Sequence, residues 1–309
     1  MEKKYYGAFG KLITNSIEYA DGRTIDEILG GTIYGLEGIR LWTDDCYMIT
    51  KVGNDFDDYY GQWYQQNNIS RWGVHQNGKE HCLYTTVKYN PDGTYEEYSK
   101  WEGQSFDDET YAPTVQDLAQ YVQNTKACYF DADPDPEFFK EVAKLQEQSP
   151  FKIMWEIKTR GCQPQYLDAV KEILKGVEMF SINMPEAKTL FGTDNEEECI
   201  RLVQQLSAQF TLLRAGERGL YTVTPQRVVF IPIRRYNGPV QDPTGCGNSS
   251  TTGAMWAWCE GYDDVMTGLI ANTTAYYNVQ QYGPIQKFDP TMREKELAYL
   301  KEERNKYPK

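Results

Sequence analysis

The 309-residue sequence predicts an α/β fold: one large domain with a mostly parallel central sheet and a small β excursion. Three observations carry that prediction. Short apolar runs that read as strands alternate with segments of helical period, the pattern of a parallel sheet with helices on its faces. One stretch breaks the rhythm with strict side-chain alternation on either side of a turn. Composition is that of an ordinary globular chain, 40% hydrophobic and 25% charged, long enough for a sizeable core in one domain or, on length alone, two smaller ones. With no internal repeat and no low-complexity linker, 1–309 reads as a single domain.

Residues 5–12 read as a buried strand, followed by a turn-rich stretch ending at Asp21-Gly22. Ile33, Leu36, Ile39 and Leu41 mark a helix over 32–42, entered from Gly30-Gly31. Residues 46–52 form a strand stopped by Gly53, and 56–67 is helical. Leu83, Thr85 and Val87 then alternate with Tyr84, Thr86 and Lys88, Asn90-Pro91-Asp92-Gly93 turns, and 94–101 returns. That is a hairpin, fit to act as a lid, an interface or an edge decoration. From Pro113 the alternation resumes: helix 114–123, strand 127–131, helix 135–148, strand 151–157, helix 164–175 and strand 177–182. Helices 185–191 and 195–209 follow, then a strand at 210–214 and β segments at 219–224 and 227–233. An apolar stretch at 254–258 reads as a buried helix, and 293–309 as a charged, solvated helix and tail.

Lys plus Arg is 32 against 45 Asp plus Glu, a net charge of −13. That balance argues against nucleic acid or an anionic membrane as partner, because phosphate surfaces call for a basic face. A small anion held by backbone amides stays open. No apolar run is long enough to span a bilayer, and the first ten residues lack the apolar core of a signal peptide. Seven scattered Cys without a Cys-x-x-Cys pair point away from a disulfide framework or zinc site and toward a reducing cytoplasm. With only His75 and His81, His-based metal clusters and Ser/His/Asp triads are disfavoured.

The most informative stretch is Asp242-Pro243-Thr244-Gly245-Cys246-Gly247-Asn248-Ser249-Ser250-Thr251-Thr252-Gly253. Small residues let the backbone approach a ligand, and the first amides of the following helix have no intrahelical acceptor. With the helix dipole they make an anion hole suited to phosphate, or to charge developing in phosphoryl transfer. A glycine-rich cap needed only for packing is the plainer alternative.

This stretch resembles the C-terminal signature of the ribokinase-like (PfkB) sugar and nucleoside kinases, which usually reads Asp-Thr-x-Gly-Ala-Gly-Asp. Other segments match the family in order. Gly30-Gly31 resembles its early Gly-Gly, and Lys51-Val52-Gly53-Asn54-Asp55 its Val-Gly-Asp-Asp. Asn183-Met184-Pro185-Glu186-Ala187 resembles its Asn-x-x-Glu, near metal and phosphates. Arg214-Ala215-Gly216-Glu217-Arg218-Gly219 is similar to the Thr-Leu-Gly-x-x-Gly turn of the nucleotide site. Ala271-Asn272, with 279–283, resembles the last helix and turn beside adenine. The resemblance covers residues 5 to about 285. It implies a ribokinase-like three-layer α/β/α domain with β-lid elements at about 12–29 and 82–102; the exposed aromatic hairpin itself favours a lid-mediated homodimer. The resemblance also implies ATP and Mg²⁺ as cofactors, with K⁺ a further candidate, and a sugar or nucleoside-like small molecule as substrate.

By the same resemblance Gly245, Cys246 and Gly247 would supply anion-hole amides. Asn183, Glu186, Arg214, Gly216, Gly219 and Asn272 would serve the nucleotide, and Glu186 with Asp242 the metal. Gly30 and Gly31 would approach the acceptor. Three positions depart from the pattern. The general-base Asp that closes the signature is Asn248, whose amide orients a hydroxyl but takes no proton at neutral pH. The acceptor-gripping Asp, five residues after Gly10, is Asn15. The Asn expected four residues after Gly31 is Gly35. Base loss costs on the order of 10²–10⁴ in rate, whereas positioning and electrostatics carry most phosphoryl-transfer catalysis. A sugar-kinase-like enzyme is the leading expectation, with a catalytically silent nucleotide or metabolite sensor, or another reaction on the same scaffold, as rivals. Restoring Asp at 248 is expected to raise turnover if the kinase reading holds.

Smaller signals are open to plainer readings. Trp63, Trp72, Trp101, Tyr84, Tyr95 and Tyr98 make the lid region aromatic, fit for stacking on a ring or for packing. Cys246 at a helix N-terminus would favour a thiolate, or merely replace a small Ala. The acidic run from Asp131 to Glu137, broken by Pro134 and Pro136, reads as a turn and helix cap rather than a metal site.

Overall fold

The computed structural model describes residues 3–92 and 94–308, without the side chain of Tyr95. Its strands are β1 (Tyr5–Phe9), β2 (Leu12–Glu18), β3 (Thr24–Gly31), β4 (Cys46–Val52), β5 (Val74–Gln76), β6 (Tyr84–Tyr89), β7 (Tyr95–Ser99), β8 (Thr125–Ala132), β9 (Lys152–Ile157), β10 (Met179–Asn183), β11 (Phe210–Arg214), β12 (Gly219–Val223) and β13 (Val228–Pro232). Among the described residues, nine of these form one sheet in the order β13-β12-β11-β10-β9-β8-β1-β4-β5. Neighbours from β11 through to β5 pair parallel, and only β12 and β13 run antiparallel at one edge.

Helices cover both faces, as a parallel sheet requires. They are α1 (Ile33–Trp42), α2 (Gln62–Gln66), α3 (Val115–Ala119), α4 (Pro136–Gln148), α5 (Leu167–Ile173), α6 (Met184–Phe191), α7 (Glu196–Gln204), α8 (Cys246–Cys259), α9 (Asp264–Asn278) and α10 (Pro290–Arg304). Period-2 alternation along each strand splits the core in two. Ala127, Tyr129, Met154, Met179 and Leu212 pack with α1, α8 and α9. Cys128, Phe130, Trp155, Phe180 and Leu213 pack with α3 to α7. The result is the three-layer α/β/α arrangement, with a smaller four-stranded sheet ordered β3-β2-β6-β7 beside it.

Several predicted boundaries move for identifiable reasons. The strand expected over 5–12 ends at Phe9, and Leu12 opens β2. The turn-rich stretch is instead the hairpin β2–β3, which joins β6–β7 into the smaller sheet. Its inward positions Thr14 and Ser16 are polar and hydrogen-bonded, Thr14 to Tyr60 and Ser16 to Asp26 and Tyr84, so the apolar alternation that marks a strand is missing. Gly93, in the turn of the predicted hairpin, lies outside the described residues. The helix over 56–67 begins as a π turn at Asp57–Gly61, and that over 195–209 ends at Gln204. The terminal helix is packed rather than solvated: Leu300 is buried, and Tyr277 Oη donates to Glu296 Oε1 at 2.6 Å. All seven cysteines are free thiols. Among the described residues, no helix is long and apolar enough to cross a membrane.

Candidate functional site

The carboxyl ends of β1, β8, β9, β10 and β11 present Gly10, Asp131, Glu156, Asn183 and Arg214 in a row along one edge of the sheet. The strand order turns between β1 and β8, since the chain winds toward β4 on one side and β9 on the other. Such a switch point leaves a crevice at the carboxyl edge, where open α/β sheets bind ligands. Two cavities open there, of about 220 and 310 Å³. Gly10, Lys11, Gly31 and Thr32 line the first; Asn183, Glu186, Arg214 and Asn248 line the second. Phe106, Asp131 and Lys158 line both.

The amino end of α8 points into the second cavity. Gly245 caps it in the left-handed region (φ +82), and a Cβ there would collide with the Tyr34 ring, so glycine is required twice over. Cys246 N donates to Pro243 O at 3.2 Å, and the first helical bond of this turn is Ser249 N to Gly245 O at 2.9 Å. The Gly247 and Asn248 amides are thus left without intrahelical acceptors, as in any first turn. A Cβ on Gly247 would collide with Arg214 Nη1, so the guanidinium lies directly against this glycine.

Arg214 is held there by an ion pair. Its Nη2 lies 2.7 Å from Glu156 Oε1 and 3.9 Å from Glu186 Oε2, with side-chain exposures of only 15%, 7% and 10%. Burial disfavours the guanidinium charge, but Glu156 and Glu186 more than offset it and hold Arg214 above its ordinary value. Its Nε is buried without a partner. Tyr129 Oη donates to Glu156 Oε2 at 2.7 Å. Asn248 Nδ2 donates to Tyr129 Oη at 2.8 Å and to Glu156 Oε2 at 3.4 Å. Burial, then the neighbouring carboxylates, drive the Tyr129 hydroxyl well above its usual value and keep it a donor.

The remaining predicted residues fall into distinct places. Asn183 and Glu186 form the capping box of α6, with Asn183 Oδ1 accepting from Glu186 N at 2.9 Å and Glu186 Oε2 from Asn183 N at 3.0 Å. Glu186 Oε1 also accepts from Thr159 Oγ1 at 2.7 Å. Asp242 accepts from Thr244 N at 2.9 Å and lines a cavity beside the lid, with Tyr19 and Tyr282, away from Glu186. Among the described residues, no group of three or more His, Cys, Asp or Glu is placed to hold a metal ion. Gly216 and Gly219 take positive φ (+61 and +125) in the turn after β11. Asn272 is buried and spends its amide on Ile231 O (3.1 Å) and Pro232 O (2.9 Å), fastening α9 to β13.

On the acceptor side, Gly31 (φ +70) lines the first cavity, while Gly30 packs on Asn15, whose Nδ2 lies 2.5 Å from where a Cβ would stand. Gly35 packs on Tyr129: a Cβ there would sit 2.8 Å from its ring. Tyr129 therefore fills the space that the resemblance assigns to an Asn side chain. The thiolate reading of Cys246 is overturned, because burial pushes its thiol up to about 11, with the Asn278 amide only partly opposing. The segment 51–55 serves the base of the lid, where Asp55 Oδ1 accepts from Cys82 N at 2.6 Å. In the acidic run, Asp135 caps α4 through Glu137 N and Phe138 N, as expected of a cap. Trp63 and Tyr84 are core residues, and Trp101 stacks on His81.

Sequence reasoning missed Tyr129, Asp131 and Glu156. The available signal was position: each lies at or near the carboxyl end of a strand whose neighbours are parallel, with Asp131 opposite Glu156 in the β8–β9 register.

A parallel sheet with a crevice at its switch point and a glycine-capped helix amino end beside it defines a three-layer α/β/α protein with its candidate site at the carboxyl edge of the sheet. The comparisons make the class specific. Residues 38–292 match the pfkB family carbohydrate kinase model, and the chain belongs to that family. An uncharacterized protein of Schizosaccharomyces pombe is 24% identical over 315 residues, covering 89% of this chain and 84% of that one. In fold the chain is similar to adenosine kinase from Sinorhizobium meliloti, with a TM-score of 0.76 and 15% identity over 96% of this chain and 100% of that one. It is likewise similar to Arabidopsis thaliana ribokinase complexed with ribose and ATP, with a TM-score of 0.74 and 17% identity over 97% and 99% of the two chains.

Proposed function

We propose that the chain transfers the γ-phosphoryl group of ATP to a hydroxyl of a sugar or nucleoside-like acceptor. The observation that carries this reading is the α8 amino end: two amides without intrahelical acceptors beside a buried arginine, opening on the cavity that Asn183 and Glu186 also line. Gly245 and Gly247 allow the backbone approach, and Gly247 and Asn248 supply the amides; the Cys246 amide is spent on Pro243 O and supplies none. Arg214 adds a buried positive charge with a spare Nε–H. Asn248, fixed by Tyr129 and Glu156, orients rather than deprotonates the acceptor. Gly10, Gly31 and Lys11 would border the acceptor in the first cavity.

The donor set fits Mg²⁺ carried on the nucleotide rather than caged by the chain, since magnesium keeps several waters and takes one or two carboxylates plus phosphates. Glu186 and Asn183 would hold its waters, and the ion would offset charge on the transferring phosphoryl oxygens. Asp242, with the lid-side loop, is the candidate for a separate monovalent-ion position. Gly216, Gly219 and Asn272 would shape the nucleotide side through backbone conformation and packing. A reducing intracellular location accords with seven free thiols, and a homodimer through the lid accords with the exposed Tyr98. Light scattering showing a strict monomer would remove the dimer.

The first test is thermal unfolding with Mg-ATP, Mg-ADP and a panel of sugars and nucleosides, because a specific ligand raises the midpoint by mass action. A shift with nucleotide, increased by one acceptor, supports the proposal and names the substrate to assay. No shift with any nucleotide overturns it. One observation favours a second reading, a silent nucleotide or metabolite sensor: the residue at the expected base position is Asn248, whose amide is committed to Tyr129 and Glu156. Nucleotide protection without transfer to any acceptor would select that reading.

A further inference from the structure

Asn248 leaves a phosphotransferase without its expected proton acceptor, and six other carboxyl residues line the two cavities: Glu109, Asp133, Asp135 and Glu186 are held by Lys11, Arg160, the α4 amides and the α6 cap, which leaves Glu156 and Asp131. Glu156 is fully engaged: one oxygen pairs with Arg214 and the other accepts from Tyr129 and Asn248. Asp131 is the opposite case. Among the described residues, no hydrogen bond or ion pair engages its carboxyl, and the residue lines both cavities, the one beside Gly10 and Gly31 and the one beside Asn248 at the α8 amino end. Its strand also flanks the switch point, in register with β1 through Phe9 and Phe130.

Resting on the phosphotransferase reading, we infer that Asp131 is the general base, and that the proton-accepting carboxylate lies on the sheet edge rather than on α8. A base in this reaction must touch the acceptor hydroxyl on one side while the phosphoryl group lies on the other, and Asp131 is the free carboxylate common to both cavities. The acceptor O–H proton passes to the Asp131 carboxylate. The oxygen bonds the γ-phosphorus of a nucleoside triphosphate, the bridging Pγ–O bond breaks, and the nucleoside diphosphate leaves with that bond's electron pair. Asp131 then releases its proton to solvent. Burial pushes the Asp131 carboxyl up to about 7, against the opposing charge of Lys158 and with that of Glu156 and Asp133; Arg214 acts with Lys158. Lys11 and Glu109 face the same cavity from β1's end and from the loop before α3. A group so poised both accepts and returns a proton near neutrality.

The test is kcat against pH for wild type, D131N, D131E and E156Q, with Mg-ATP and whichever panel acceptor turns over. Mg-ADP protection is measured on each variant as a check of folding and nucleotide binding. D131N is expected to keep that protection, lose on the order of 10²–10⁴ in kcat, and lose the acid limb of the profile. D131E is expected to recover part of the rate. Wild-type turnover in D131N, or loss of the limb in E156Q instead, overturns the assignment while leaving the phosphotransferase standing. Wild type that binds Mg-ATP yet transfers to no acceptor fails the phosphotransferase reading and removes the base with it.

Discussion

Asn248 does something here that an aspartate would not. Its Nδ2 donates to both Tyr129 Oη and Glu156 Oε2, and Tyr129 in turn donates to the same carboxylate. An aspartate would set two carboxylates about 3.4 Å apart with the single Tyr129 hydroxyl proton to share between them. N248D is therefore expected not to restore turnover, which revises the expectation drawn from the resemblance alone. It is also expected to destabilise the fold by about 1–3 kcal/mol at pH 8. One of the paired carboxyls would have a raised pKa in the folded state, so the lost stability returns as pH falls; urea unfolding at pH 5 and pH 8 measures both effects. The sequence reveals residue 248 as a departure but not its partners. Tyr129 and Glu156 lie 119 and 92 positions away and meet Asn248 only through strand register. Asp131 was visible only within an acidic run whose Asp135 is an ordinary cap, and the burial that distinguishes the two appears only once the sheet is assembled.

At the scale of elements, α1 and α8 set the depth of the site because they pack almost backbone to backbone. A Cβ on Gly38 would collide with Thr252 Oγ1 and Ser249 O, and Gly35 and Thr252 bring the Tyr129 ring up beside them. Any widening of this contact moves the α8 amino end relative to the sheet edge. Gly38→Ala is expected to cost about 1–3 kcal/mol by overpacking. The control Gly176→Ala, with only Ile173 O at 3.9 Å near its Cβ, is expected to stay within about 0.5 kcal/mol. Urea midpoints of the two variants decide between them, and equal values would show that the helices part freely. The helices and parallel strands were legible in the sequence because each buries an apolar face. The lid strands β2 and β3 were not, because their inward positions are hydroxyl groups paired to Tyr60, Asp26 and Tyr84. The start of α8 was legible only as a motif, since Cys246 to Thr252 carries no apolar period.

Over the whole molecule, buried carboxyl groups set how stability responds to pH. Glu37 on α1 is fully buried; its Oε2 accepts from Ile285 N at 2.9 Å, tying the first helix to the chain beyond α9, and its Oε1 has no partner. Burial lifts its carboxyl from 4.5 to about 8, with the Ile285 amide opposing. The folded chain therefore holds this proton where the unfolded chain has released it. The associated stability is fully present below about pH 4.5 and is lost as pH rises through about 8. Asp131, lifted to about 7, acts in the same direction. Arg160 holds the Asp133 carboxyl below its ordinary value, and at Asp44 burial is outweighed by Arg293 and Arg40, so both contributions are lost only in acid. Stability is thus expected to be greatest in mildly acidic solution and to decline toward pH 9. Glu37→Gln removes the largest alkaline contribution, because an amide stays neutral throughout. Relative to wild type, E37Q is expected to gain a few kcal/mol in unfolding free energy between pH 5 and pH 9, about 1.4 for each pH unit the titration spans. Denaturant unfolding across that range measures it. Parallel pH profiles for the two proteins would mean that Glu37 is already ionised in the fold and that water or a cation reaches its second oxygen.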